Sequence, residues 1–343
     1  MKNFSKKLSL FLMSLFVGIG LFIWIGKTVG WQEIKNAFLV FTGWQGIVIL
    51  GLTLLIMLIG NWKWKEILKG ENIKISFKNL LNPYLAGFAI MWLAPILFLG
   101  GEVFRAYFLK KKNFVSWQKG IASVFIDRIL EWTTNLFIIF LGILFFLLMA
   151  GIPPKNLVII LGGLFLFFTG GISYFYLKIF KRESIIKFLL RIFGLRNFSQ
   201  NSAILDVEKE IFNFFKLKRK SMNKILTLSF LQVGIMYVKA WLLISFLGKD
   251  IGFLPVLSIL GFYYLATMIP IPASLGIHET IQTFSFNSLG LGLSTATAFT
   301  MIIRGAELII ALVGLIILFR LGVGLIKNAL LKDKYFNNNA IYH

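Results

Sequence analysis

Pro95-Ile96-Leu97-Phe98-Leu99-Gly100-Gly101-Glu102-Val103-Phe104-Arg105 sets an acid and a base into sequence that is otherwise hydrophobic. A charge in such a setting is costly unless it is paired or faces a wet cavity, so these residues are candidates for function. The pattern returns later in the chain. Pro272 precedes Glu279 by the same interval that separates Pro95 from Glu102, again with a glycine, Gly276, between them. Beyond Glu102 come Arg128 and, one helical turn on, Glu131; beyond Glu279 come Arg304 and Glu307. The offset between the copies is the same for the proline and the first acid, and it differs by a single position for the arginine and the second acid. One chain therefore carries two versions of one charged unit.

The surroundings of both units are lipid-compatible. The chain has 343 residues, of which 58% are hydrophobic, and its mean hydropathy is +0.82. Apolar runs near the ~20 residues needed to cross a bilayer recur along it. This defines an all-α, polytopic integral membrane protein in which residues 1–343 form a single membrane domain. The net charge of +22 comes from basic residues that cluster between apolar runs. Retention of positive loops in the cytoplasm accounts for that better than nucleic-acid binding, for which no soluble basic domain is present. The absence of cysteine removes disulfides, thiol catalysis and cysteine-ligated metal sites. No metal or cofactor is expected.

Charge also sets the topology. Met1 to Lys7 and then Leu8 to Gly26 read as an anchoring first helix, because the apolar run is too long for a cleaved signal. Trp44 to Trp62 spans back and ends in the basic run Lys63, Lys65, Lys69, Lys74 and Lys78. Leu80 to Leu99 is apolar, yet Arg105, Lys110, Lys111, Lys112 and Lys119 follow it. Both of its ends thus look cytoplasmic. A re-entrant hairpin resolves this, breaking near Pro95, whose ring removes a helical hydrogen bond, and returning through Gly100-Gly101. Trp117 to Ala150 and Asn156 to Leu177 span next. Lys178 to Lys224 holds twelve basic and four acidic residues, and its apolar positions Ile185, Leu189, Ile192 and Phe193 suit a basic amphipathic helix on the cytoplasmic leaflet. Ile225 to Leu247 spans outward, a second hairpin breaks at Pro270 and Pro272, and Leu293 to Phe319 spans inward.

Counting Lys and Arg audits this arrangement. Of the 36, 29 fall on the cytoplasmic side, four outside (Lys27, Lys35, Lys155, Lys249) and three within spans (Arg128, Lys239, Arg304). Six full spans and two re-entrant hairpins result, with both termini cytoplasmic. Residues 1–150 and 151–325 form two half-repeats of opposite orientation, with residues 178–224 as a basic cytoplasmic loop. Inverted repeats of this kind place a substrate site between the halves, near the midplane.

The candidate binding residues follow. Glu102 and Glu279 sit just after glycines, and a helix start after a break favours an anionic group through its unpaired amides. As two faces of one site, these acids should approach each other across the cavity. Arg128 with Glu131, and Arg304 with Glu307, share a helix face at i,i+3; the pairs are either internal locks or clamps for a phosphate. Asp127 adjoins Arg128. Arg105 belongs to the motif or snorkels to the interface. Lys239 stands among Tyr237, Val238, Ala240 and Trp241 and needs a partner from another helix, one of the surplus acids. His278 is a candidate for proton coupling or simply a hydrogen-bonded histidine. Glu71 reads as an ordinary loop carboxylate. Metalloprotease, phosphate-loop and nucleophile-elbow signatures are lacking. Carboxylates at a membrane interface suffice for some transferases, so an embedded transferase acting on a lipid-linked substrate stays open, as does a non-transporting scaffold.

At these residues the sequence resembles the flippase-like membrane domain of lysylphosphatidylglycerol synthases, whose family includes stand-alone membrane proteins. The matching pieces are Gly101-Glu102 with Arg105, Ser123 with Asp127-Arg128, Pro270 and Pro272 with Gly276 and Glu279, and Arg304. The resemblance implies a membrane protein that binds or moves a membrane lipid, an anionic phospholipid or a polyprenyl phosphate, by its headgroup. Two departures stand out: Asp127 where members often carry Glu, and a turn at Ala273-Ser274-Leu275 less glycine-rich than usual. The soluble aminoacyl-transferring domain of the full synthases is not matched, so their synthase activity is not expected here.

Overall fold

The computed structural model describes residues 43–93, 100–152, 155–181, 183–187, 202–215, 219–269 and 277–339. The expected first span, Leu8 to Gly26, lies outside these residues, as do Pro95, Pro270, Pro272 and Gly276 at the hairpin breaks and the chain end at His343.

The described chain is helical: α1 Trp44–Gly70, α2 Phe77–Leu93, α3 Gly100–Asn113, α4 Trp117–Ala150, α5 Lys155–Lys181, α6 Ser202–Phe214, α7 Arg219–Phe246, α8 Phe253–Thr267, α9 Ile277–Ser288 and α10 Leu293–Asn339. Five of these, α1, α4, α5, α7 and α10, are long and apolar enough to cross a membrane. The short helices that follow α1 and α7 come in consecutive pairs. Helices α2 and α3 have 17 and 14 residues, and α8 and α9 have 15 and 12. At ~1.5 Å per residue none reaches across a hydrocarbon core of ~30 Å. They form the two hairpins that the charge pattern requires.

The two halves repeat each other element by element. Helices α1, α2, α3 and α4 begin at Trp44, Phe77, Gly100 and Trp117, and α7, α8, α9 and α10 begin at Arg219, Phe253, Ile277 and Leu293, so the four starts recur at an interval that is constant to within one position either way. Packing follows the same exchange. The most extensive contacts are α8 on α4 and α2 on α10, so the hairpin of each half lies against the long helix of the other. Helices α1 and α7 pack together, as do α2 with α3 and α8 with α9, and α3 with α4 and α9 with α10.

Small residues permit the two crossed contacts. A Cβ on Gly261 of α8 would meet the Cα of Gly142 on α4, and one on Gly314 of α10 would run into the carbonyl of Leu85 on α2. Ile138, whose carbonyl lies 3.3 Å from that Cβ position on Gly261, precedes Gly314 by the same interval that separates Leu85 from Gly261. Close backbone approach through small residues is how helices associate in lipid, where there is little hydrophobic drive. Gly142→Ala is therefore expected to lower the thermal midpoint of the purified protein, at a cost of about 1–3 kcal/mol for overpacking. Gly163→Ala on α5, where nothing lies within 4 Å of the added carbon, should leave the midpoint unchanged or raise it slightly.

The halves differ at the hairpins. In the first, Gly87 and Gly101 bring α2 and α3 so close that a Cβ on Gly101 would collide with the Gly87 carbonyl. The corresponding residues of the second half are Tyr263 and His278, whose rings pack at 4.9 Å between centroids. Ring contact thus replaces backbone contact, and α8 and α9 are held together by side chains.

Within the stretch 178–224, the described helix α6 is docked on protein. Helix α6 buries Ile211 and Phe214 in a cluster with Ile126, Ile129 and Leu130 of α4, against which Phe175 and Tyr176 of α5 also pack. Ile211 and Phe214 are thus covered by protein. Glu208 fastens α6 further by accepting from the amides of Ile185 at 2.6 Å and Ile186 at 3.0 Å; Leu189, Ile192 and Phe193 lie outside the described residues. Glu71, past the end of α1, is buried, not an ordinary loop carboxylate. Burial, then the neighbouring charge of Glu210 on α6, raises its pKa from 4.5 to about 7, against the pull of Lys119. A raised folded-state pKa contributes stability that is complete below the unfolded value and lost as pH rises through the folded one. Between about pH 4.5 and about pH 7, from the ordinary value to the raised one, the docking of α6 should accordingly weaken, seen as faster hydrogen exchange in 202–214 after correction for intrinsic rates. In Glu71→Gln that pH dependence should be flat.

Candidate functional site

Helices α3 and α9 each begin immediately after a hairpin break, and each carries its acid, Glu102 or Glu279, in the first turn. A carboxylate there is favoured by the unpaired amides of the helix start. In both halves the following long helix supplies an arginine to it. Arg128 of α4 holds Glu102 through Nε at 3.1 Å and through its terminal nitrogen, and it also takes Glu131 at 3.0 Å. Arg304 of α10 holds Glu279. The Glu102 side chain is 6% exposed and that of Glu279 37%, so the second pair is the more open of the two.

Between the halves lies a cavity of about 270 Å³. Eight of its polar lining residues form pairs related by one constant interval along the chain: Lys63 and Lys239, Arg128 and Arg304, Glu131 and Glu307, Thr53 and Ser229. Neither Glu102 nor Glu279 is among its lining residues. What each of these acids brings to the cavity is the arginine that it holds. Glu307 is fixed from both halves, accepting from the Tyr263 hydroxyl at 2.6 Å and from the Trp92 indole at 3.4 Å. Arg128 and Glu131 form a direct ion pair at i,i+3, and in the second copy the neutral donors Tyr263 and Trp92 anchor Glu307.

Behind the first half stands a second group. Asp127 is 3.0 Å from Lys63 and 2.9 Å from Arg105, and all three are buried. The Arg105 guanidinium also lies 4.1 Å over Trp64 and 4.7 Å over Tyr84. Arg105 therefore does not snorkel to an interface and does not line the cavity. Together with Asp127 it positions Lys63. Lys239, expected to meet a surplus acid, instead donates to Thr53 Oγ1 at 3.4 Å. His278 lines the cavity against Tyr263, and its Nδ1 has no hydrogen-bond partner among the described residues.

Sequence reasoning missed Lys63, Trp92 and Tyr263. By position Lys63 counts with the basic run that follows α1. The signal that identifies it is its separation from Lys239, the same interval that relates Arg128 to Arg304.

The family described as the lysylphosphatidylglycerol synthase TM region matches residues 11–314. The chain belongs to that family. In this member of the lysylphosphatidylglycerol synthase TM region family the match covers both hairpins, the cavity and both arginines. Among similar proteins, a UPF0104 membrane protein of Pyrococcus horikoshii is 28% identical over 267 residues, covering 72% of this chain and 78% of its own. A UPF0104 membrane protein of Methanocaldococcus jannaschii is 28% identical over 264 residues, covering 74% and 77%. The protein is a multi-pass membrane protein of this family, built from helices throughout its described length.

Proposed function

We propose that the protein is a lipid flippase that binds a phosphate-bearing headgroup, of a phospholipid or a polyprenyl phosphate, in the cavity between its halves and carries it across the membrane. The observation that supports this reading most is the pairing of Lys63 with Lys239 and of Arg128 with Arg304 around one cavity at the junction of two repeated halves. Cations set in pairs around a cavity suit an anion that is approached from both halves in turn. Guanidinium forks match phosphate oxygens in pairs, and at rest the same forks can hold carboxylates. The cavity volume lies just below the usual ~300–1,000 Å³ of drug-sized ligand pockets. It suits a headgroup, with the acyl or prenyl chains left in lipid.

In this mechanism the halves are inverted repeats in the cell membrane, with both termini cytoplasmic as the basic loops require. One hairpin admits the headgroup from the inner leaflet and the other releases it to the outer, or the reverse. Glu102 and Glu279 keep the arginines aimed at the cavity, and Glu131 and Glu307 balance charge there. A transferase needs a carboxylate available as general base; Glu102, Glu131, Glu279 and Glu307 each have at least one oxygen engaged by arginine, tyrosine or tryptophan, and Glu102 Oε2 is the buried one with no hydrogen-bond partner among the described residues. Purified protein in liposomes tests the proposal. Headgroup translocation without covalent change is expected; a new lipid product would favour the transferase, and the absence of both would favour a scaffold.

A further inference from the structure

The internal repeat exposes one place where the halves are chemically unequal. The interval that relates Lys63 to Lys239 relates Asp127 to Ile303. In the first half the buried ammonium meets a carboxylate, Lys63 on Asp127 at 3.0 Å. In the second half the residue at the acid's position is isoleucine, 1% exposed, on α10, which packs against the α7 that carries Lys239. Lys239 is itself 1% exposed. Its one hydrogen-bond partner among the described residues is the Thr53 hydroxyl at 3.4 Å, and no carboxylate pairs with it there. Thr53 already donates its proton to the Ile49 carbonyl at 2.8 Å, so it offers the ammonium only a lone pair. Glu307, on the same cavity, acts on Lys239 by its charge but forms no direct ion pair with it among the described residues, its oxygens being held by Tyr263 and Trp92. A buried cation with no anion in contact is costly. It persists where something else completes it.

We infer that the ligand's phosphate supplies the missing anion: the second half holds an oxyanion subsite at Lys239, and a phosphate oxygen occupies the place that the Asp127 carboxylate takes in the first. This rests on the headgroup-binding reading above and makes it one-sided, because Lys63 is neutralised by protein and Lys239 is left for the ligand. The shared chemistry is a phosphate oxyanion, carried by a lipid headgroup or free in water. Ile303→Asp would then restore the symmetry, giving Lys239 the partner that Lys63 already has. Such a partner should compete with the ligand.

The test uses delipidated full-length protein in detergent, titrated with inorganic phosphate and with dihexanoyl phosphatidylglycerol and read by the fluorescence of Trp92 and Trp132 in the cavity wall. Lys239→Met and Ile303→Asp should each weaken binding about tenfold or more, the scale of one charge-assisted contact. Ile303→Asn, of the same size without the charge, should stay within about threefold of the parent. Ile303→Asp should also melt higher than Ile303→Asn, since a new carboxylate beside Lys239 stabilises the apo protein. Should Ile303→Asp not fold, Lys239→Met decides alone. Binding of inorganic phosphate as tight as that of the lipid identifies the oxyanion itself as the ligand; binding of the lipid alone identifies the headgroup phosphate. Both support the subsite. Undiminished binding by Lys239→Met or by a folded Ile303→Asp, or no binding of either probe by the parent, overturns it. Lys239-dependent binding without translocation in liposomes would instead overturn the flippase reading and leave the subsite standing.

Discussion

Asp127→Asn should destabilise the protein by about 3–5 kcal/mol, the cost of leaving buried charge unpaired, seen as a large fall in thermal midpoint and in folded yield. The carboxylate lies between two buried cations, Lys63 at 3.0 Å and Arg105 at 2.9 Å. Removing its charge leaves both uncompensated. Arg105 retains the faces of Trp64 and Tyr84, which contribute ~2 kcal/mol at a desolvated site; among the described residues Lys63 has no such second contact, and it bears most of the penalty. Lys63→Met in the Asp127→Asn background should therefore recover part of the loss, whereas the same change alone should cost much less than Asp127→Asn. Residues in one network do not add, and this pair should show that coupling clearly. Equal losses from Asp127→Asn with and without Lys63→Met would mean that the group is not an electrostatic unit.

Arg304→Lys should reduce headgroup translocation about tenfold to a hundredfold while changing the thermal midpoint little. Lysine keeps the charge that faces Glu279 but loses the planar fork that can hold a carboxylate and a phosphate at once. The loss corresponds to ~1.5–3 kcal/mol for a hydrogen bond to a charged group. Glu279 is 37% exposed, so water can complete its solvation when the guanidinium is gone, and the fold should tolerate the change. Parallel loss of protein level and translocation would instead assign Arg304 to a structural lock.

The repeat was legible because buried charges are rare and their intervals conspicuous: Glu102 with Arg128 and Glu279 with Arg304 announce two copies before any helix is placed. The helices could be read too, since charge and apolar length set them, and Trp117–Ala150 begins and ends where expected. What could not be read is who faces whom. Glu102 and Glu279 were expected to meet across the cavity, but both point into their own arginines, because a carboxylate at a helix start and an arginine on the next helix satisfy each other locally. Lys63 was hidden by its setting at the basic end of α1, where position along the chain does not distinguish a buried ammonium from its exposed neighbours. The docking of α6 was hidden for a similar reason. An amphipathic face tells that it is covered, not whether lipid or protein covers it, and Phe214 chose α4.

Whether the two halves share one site is tested most directly by a double-mutant cycle in lipid translocation. Arg128 and Arg304 come from opposite halves of the chain and line the same cavity. Rates would be measured in liposomes for Arg128→Gln, Arg304→Gln and the double variant, with Arg128→Gln plus Lys209→Gln, an exposed position on α6, as the independent pair. Groups that act as a unit are far from additive, so the double variant should translocate about as slowly as the slower single variant, while the control pair multiplies. If the Arg128 and Arg304 effects also multiply, the two halves do not hold one headgroup between them.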